Sequence, residues 1–144
     1  MHKDFYASGF LYHPKSEQIL LQQKVSTNEG SLWTLFAKKL PDDKTCEETL
    51  KDLFFELLNV NIKLDKIKII YSYITKELNK HNLYYAEVKS LQKYSVSENT
   101  AFAWFTFKQI QKINVSPQTR HDIIVGQRVI DSNMRRDLGE RTIG

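Results

Sequence analysis

Two hydrophobic periods alternate along this chain, and each change of period marks a new element. Residues 5–13, FYASGFLYH, and 18–25, QILLQQKV, are apolar stretches parted by PKSE, and together they predict a β-hairpin. NEGS then breaks the chain ahead of LWTLF, which predicts a third short strand, and LPDDKT at 40–45 predicts a polar loop. Past residue 45 the period lengthens to that of a helix. Leu50, Leu53, Phe54, Leu57 and Leu58 recur at i, i+3, i+4, i+7 and i+8, which puts one apolar stripe on one helical face. Thr45 followed three residues later by Glu48 is a capping-box signature for the start of that helix. Glu47 and Lys51 stand four apart in the favourable order for a side-chain pair. Asn59 suits a left-handed stop.

The second half returns to strands. Residues 62–75, IKLDKIKIIYSYIT, alternate apolar and charged positions before becoming more fully apolar, and they predict a strand entering a core. NLYYAEV (82–88) and AFAWFTF (101–107) predict two more strands, joined by the polar loop QKYSVSEN. KQIQKI predicts a short helical turn. Pro117, with Ser116 before it, opens a last helix over 117–134, where the missing proline N–H costs nothing at the first turn. The order is strands, helix, strands, helix, with no internal repeat. The fold class is therefore α+β, a mixed sheet held between helices, in a single domain over 1–144 whose tail, 135–144, is expected to fray.

Composition narrows the function classes. At 144 residues, with 41% hydrophobic, 26% charged and 12% aromatic positions, the chain suits one globular domain that needs no disulfide or structural metal to bury its core. No apolar run approaches the roughly 20 residues that would span a bilayer, and the N-terminus lacks the apolar core of a secretion signal. Cys46 is the single cysteine, so a cytoplasmic setting is expected. His2, His13, His81 and His121 show no metal-ligand spacing. The net charge of +4 comes from lysines spread along the chain, which favours a solvated surface over a nucleic-acid footprint.

The stretch from 31 to 60 resembles the Nudix family, hydrolases that cleave nucleoside diphosphates linked to another group. The family box reads G-x5-E-x7-R-E-U-x-E-E-x-G-U, with U a bulky aliphatic residue, and Trp-x-Leu-Pro-Gly-Gly usually precedes it. Trp33 and Leu35 stand where that entrance puts them, while Phe36, Ala37 and Lys38 replace Pro-Gly-Gly. The first box glutamate falls on Lys44, the Arg-Glu pair on Asp52-Leu53, the Glu-Glu pair on Glu56-Leu57, and the glycine on Asn59; Val60 keeps the final aliphatic. Of the charged positions Glu56 alone survives. The resemblance implies an α/β/α sandwich, and AWF (103–105) followed by a helical turn and a last helix agrees with it.

The resemblance also implies divalent chemistry, and here the residues depart from it. Mg²⁺ takes oxygen ligands in near-octahedral geometry, and such ions polarise a phosphoryl group and activate water. Leu53 and Leu57 offer no oxygen and sit in the apolar stripe, where both are expected to be core. Glu48, Asp52 and Glu56 lie at i, i+4 and i+8, a solvated acidic face or a displaced site for Mg²⁺ or Mn²⁺. Lys38, Lys39 and Lys44 read as an exposed loop, or as cations that meet a ligand phosphate in place of a metal. Glu98 lies in a loop from which some family members recruit an extra acid or base. Tyr71, Tyr73, Tyr84, Tyr85, Phe102 and Trp104 alternate on strands; most are expected in the core, with one or two lining a nucleobase cleft. Arg120, His121, Asp122 and Arg128 are expected at the surface or in caps. The leading expectation is a Nudix-fold protein with a degenerate box that binds a nucleotide-like ligand with little or no hydrolysis. The alternatives are an active hydrolase built on Glu56 with Asp52, Glu48 or Glu98, and an interaction module that docks a partner or a second copy.

Overall fold

The computed structural model describes residues 4–24, 31–94 and 99–143, with side chains through residue 139. Strands β1 (Phe5–His13) and β2 (Gln18–Lys24) form the expected hairpin, but they pair only near its turn, at Tyr12↔Ile19 and His13↔Gln18. Beyond that point they diverge, and the LWTLF stretch fills the opening as two strands rather than one. β3 (Trp33–Thr34) pairs with β2, and β4 (Phe36–Lys39) pairs with β1. The chain changes partner at Leu35, whose carbonyl accepts a 3.1 Å hydrogen bond from the buried Gln22 amide. That bond satisfies the backbone where neither ladder reaches it.

The sheet runs β3-β2-β1-β6-β5, with β4 on β1 and β7 (Thr100–Thr106) on β2. β6 is Lys80–Glu87 and β5 is Ile67–Ile74. β1 and β6 run parallel from Phe5↔Lys80 to Tyr12↔Glu87, and the other pairings are antiparallel. Period-two alternation then sorts the side chains. Ala7, Leu11, Leu20, Tyr84 and Ala86 face helix α1 (Cys46–Leu58), while Phe10, Tyr12, Ile19, Leu21, Leu83 and Tyr85 face helix α3 (Pro117–Ile143). One mixed sheet between helices is the α/β/α sandwich that the sequence implied.

Helix α1 has the ends read from its sequence. Thr45 Oγ1 accepts from Glu48 N at 3.1 Å, Glu48 Oε1 accepts from Thr45 N at 3.0 Å, and Asn59 closes the helix at φ 56°. Other details differ. Leu53 is buried, but Leu57 is 41% exposed beside Phe55 at 54%, because the sheet meets α1 along the narrower line of Leu50, Leu53, Phe54 and Leu58. Lys51 does not pair with Glu47. Its ammonium donates to Asn61 Oδ1 (2.6 Å) and the Ile62 carbonyl (2.7 Å). Those bonds tie 61–62 to the helix, so the predicted strand 62–75 begins only at Ile67, after a 3-10 turn at Leu64–Lys66.

The short helix α2 (Phe107–Ile110) carries its own capping box, Thr106 with Gln109. In α3, Ser116 Oγ accepts from Thr119 N at 3.1 Å. The helix extends to Ile143, beyond the predicted end at 134, with no proline to interrupt it. Asp122, expected at the surface, is buried and accepts from Tyr71 and from Gln118 Nε2 at 2.8 Å, which fastens α3 to β5. Burial and that carboxylate push the Tyr71 hydroxyl pKa up. Arg120 caps α2, donating to the carbonyls of Ile110 (3.1 Å) and Ile113 (3.2 Å).

Two glycines permit close approaches. A Cβ on Gly9 would sit 2.7 Å from the Tyr84 carbonyl oxygen, in the parallel β1–β6 pairing, and one on Gly126 would sit 3.1 Å from Phe10 Cζ. The first obstacle is backbone and cannot move alone; the second is the end of a side chain. Gly9→Ala is therefore expected to cost about 1–3 kcal/mol and Gly126→Ala less, as read from urea unfolding midpoints. The reverse order would mean that the spacing of β1 and β6 is not rigid.

Candidate functional site

The segment matching the Nudix box runs from β4 through the 40–45 loop into α1. Lys38 and Lys39, expected in a loop, lie in β4 opposite Ala7 and Tyr6, since the open edge of β1 offers this stretch a ladder. As consecutive strand residues they point to opposite faces of the sheet. Lys38 shares the α1 face with Ala7. Lys39 lies on the other face and pairs with Asp4 Oδ1 at 2.9 Å.

On the α1 face, Lys44 pairs with Asp52. These are the two positions at which the family box has Glu and Arg, so the signs are exchanged and an ion pair joins them. Lys44, with Lys38 and Lys51 nearby, holds the Asp52 carboxyl below its ordinary range. Glu48 is held low by the Thr45 backbone N–H that it caps. Of the i, i+4, i+8 acids, Glu48 and Asp52 are thus engaged, and Glu56 is exposed with no hydrogen bond or ion pair to the described residues. Leu53 is in the core, Leu57 is a partly exposed hydrocarbon, and Glu98 lies outside the described residues. Among the described residues no three His, Cys, Asp or Glu side chains converge to hold a metal ion. The donor set among the described residues does not fit the divalent ion that the resemblance implies.

Beside this segment the same face carries a cleft of about 340 Å³, lined by Leu20, Tyr94, Phe102 and Trp104 with Gln92 and Lys93 at its edge. Strand alternation puts Phe102 and Trp104 on the α1 side of β7, with Trp104 opposite Leu20. Phe102 stacks on the buried Phe36 (6.0 Å, 10°), which meets Phe54 of α1 edge-on (5.4 Å, 67°). Tyr94 stands edge-on to Phe102 at 6.5 Å, and burial raises its hydroxyl pKa. Trp104 Nε1 donates to the Gln92 carbonyl at 2.9 Å and holds the 90–94 segment in place. Phe102 and Trp104 were legible from their alternation. Tyr94 and Lys93 were not, since they sit in what reads as a polar loop with no period.

The Lys44–Asp52 pair is directly testable. With its pKa depressed, Asp52 contributes stability that is present above about pH 4, the unfolded value, and is lost as the pH falls through its folded value. Lys44→Ala is expected to raise the Asp52 titration midpoint toward the ordinary range, followed by carboxyl NMR. The Tm advantage of the parent over this variant should shrink as the pH falls below about 4. An unmoved midpoint would rule out the pair.

No family model matches the sequence, and no curated protein matches it. Solved structures do match. A MutT/nudix family protein from Listeria innocua superposes with a TM-score of 0.70 at 11% identity, covering 96% of this chain and 98% of that one. The ORF135 protein of E. coli gives 0.69 at 14% identity, over 92% and 94% of the two chains. The NUDIX domain of Shewanella oneidensis NrtR, solved with ADP ribose, gives 0.68 at 12% identity, over 88% and 87%. Likeness at such identities is a likeness of backbone architecture, and the architecture of this chain is the Nudix fold.

Proposed function

We propose that this Nudix-fold chain binds a ligand of the nucleoside-diphosphate type in the aromatic cleft and hydrolyses it feebly or not at all. One observation carries the reading: a formed aromatic cleft stands beside a box segment in which Asp52 is paired with Lys44, Glu48 is held at the helix cap, and Glu56 alone of these three acids is unengaged among the described residues. Tyr94, Phe102 and Trp104 offer ring surface to a nucleobase, and base–aromatic stacking contributes about 1–3 kcal/mol per base. Lys93 brings a positive charge to the same cleft, suited to a phosphate. A volume of about 340 Å³ lies within the ordinary range of small-molecule sites. The similarly folded NUDIX domain of Shewanella oneidensis NrtR was solved with ADP ribose, which makes that compound the first probe.

Hydrolysis is the weaker side. Leu53 and Leu57 supply no ligand oxygen, Asp52 is neutralised by Lys44, and Glu48 is occupied at the helix cap. The remaining Glu56 supplies one carboxylate, the lower end of the one or two that Mg²⁺ uses together with waters and substrate phosphates. A second reading, an active hydrolase built on Glu56, is favoured by that side chain being exposed and unengaged.

A thermal-shift series separates these readings. ADP-ribose, NAD, dinucleoside polyphosphates and capped RNA are the probes, and a saturating ligand is expected to raise Tm by about 2–6 °C. Phe102→Ala should remove most of that shift. Stabilisation by none of the four compounds would end the binding reading. In Mg²⁺ or Mn²⁺, release of nucleoside monophosphate is expected to stay near background. Brisk, metal-dependent release that Glu56→Gln abolishes would establish the hydrolase instead.

A further inference from the structure

A second cavity, of about 440 Å³, opens between the β1–β2 turn and the end of β6, lined by residues that include His13, Lys15, Lys66, Val88 and Lys89. We propose that it is a second ligand site, distinct from the aromatic cleft, for a phosphate dianion, either free or as the terminal group of an organic monoester.

Three lysines reach the cavity from three separate segments: Lys15 from the hairpin turn, Lys66 from the 3-10 turn before β5, and Lys89 from the residues after β6. No ion pair engages any of them among the described residues. Glu87 is the acid in the lining, so with His13 neutral the cavity carries a net charge of +2. Like charges gathered without partners repel one another, and a bound anion relieves that repulsion while each ammonium offers it charge-assisted hydrogen bonds. A phosphate monoester carries close to two negative charges near neutral pH, which equals the excess. Pro14 and Val88 add apolar wall, and the volume leaves room for an organic body beyond the phosphate itself.

The walls are tied together before any ligand arrives. His13 is buried, and its Nε2 lies 3.2 Å from the Lys89 carbonyl. A carbonyl only accepts, so Nε2 carries the proton and Nδ1 is the acceptor. Nδ1 takes hydrogen bonds from Ser16 Oγ (2.6 Å) and Ser16 N (3.3 Å). Val88 N donates to the Tyr12 carbonyl at 2.8 Å. His13 is thus a positioning residue that joins the segment bearing Lys15 to the segment bearing Lys89. Its ring also meets Trp104 edge-on at 6.4 Å, and Trp104 lines the aromatic cleft, so the two cavities share a wall.

The test is calorimetric titration of the full chain with glucose 6-phosphate, inorganic phosphate and unphosphorylated glucose, on the parent, on Phe102→Ala and on the triple variant Lys15→Ala/Lys66→Ala/Lys89→Ala. Saturable binding of at least one phosphate compound is expected, weakening as NaCl rises and weakened about tenfold or more in the triple variant. Phe102→Ala should leave it unchanged, which separates this site from the aromatic cleft. Tighter binding of the sugar phosphate would assign the organic monoester as occupant, and equal or tighter binding of inorganic phosphate would assign the free ion; either supports the site. All three lysines are exposed, and Lys66→Glu alone, expected to weaken binding in the same direction, covers the case of a triple variant that does not fold. No saturable binding of either phosphate compound, binding that survives the lysine substitutions, or binding equalled by glucose would overturn the proposal.

Discussion

Phe36 occupies the position from which both the helix and the cleft take their places. It is fully buried, meets Phe54 of α1 on one side and Phe102 of β7 on the other, and follows the residue at which the chain passes from β2 to β1. Burying an aromatic side chain of this size contributes roughly 1.5–3 kcal/mol from the area term alone, with ring–ring contacts adding to it. Its consequence for the site is geometric. The ring that anchors α1 to the sheet also backs Phe102, so the cleft wall is continuous with the core and its shape is held by core packing.

Electrostatics along α1 tell a complementary story. A divalent-ion site gathers carboxylates and leaves their charge for the metal to neutralise. On α1 two acids are engaged by the chain itself: Asp52 pairs with Lys44, and Glu48 accepts from the Thr45 N–H at the N-cap. Each of these arrangements lets the fold hold the position without an ion. Fold and chemistry are separate matters here: the loop–helix frame is present, Asp52 and Glu48 take part in structural bonds, and leucine stands at positions 53 and 57. Three lysines without an ion pair among the described residues stand around the cavity beside His13.

Local signals carry through to the fold wherever the physics is local. A capping box spans three residues, and Thr45 with Glu48 formed it as written; Asn59 took the left-handed stop, and the hairpin turn fell at PKSE. Sequence pattern and structure part where a distant group decides. Leu57 matches the helical stripe but is left at the margin, because the sheet beneath α1 is narrower than the stripe. The charged alternation of 62–66 was overruled by Lys51 reaching across from the helix. Lys38 and Lys39 became strand because β1 had an edge to offer, something no window of sequence around them contains. Asp122 looked like a surface acid until Tyr71, fifty-one residues away, supplied its partner.

The sequence by itself determined the element types, the caps of α1, the alternation that puts Phe102 and Trp104 on one face, and the lysine and leucines that stand at 44, 53 and 57. These follow from periods and residue chemistry, which act over a few positions. Only the tertiary structure decided which acids remain unengaged, that Tyr94 closes a cleft against β7, and that Lys15, Lys66 and Lys89 meet at one cavity. Those facts depend on which strand edges pair and which segments a long side chain can bridge. Such contacts join residues far apart in the chain, so their energies are set by the packed arrangement as a whole.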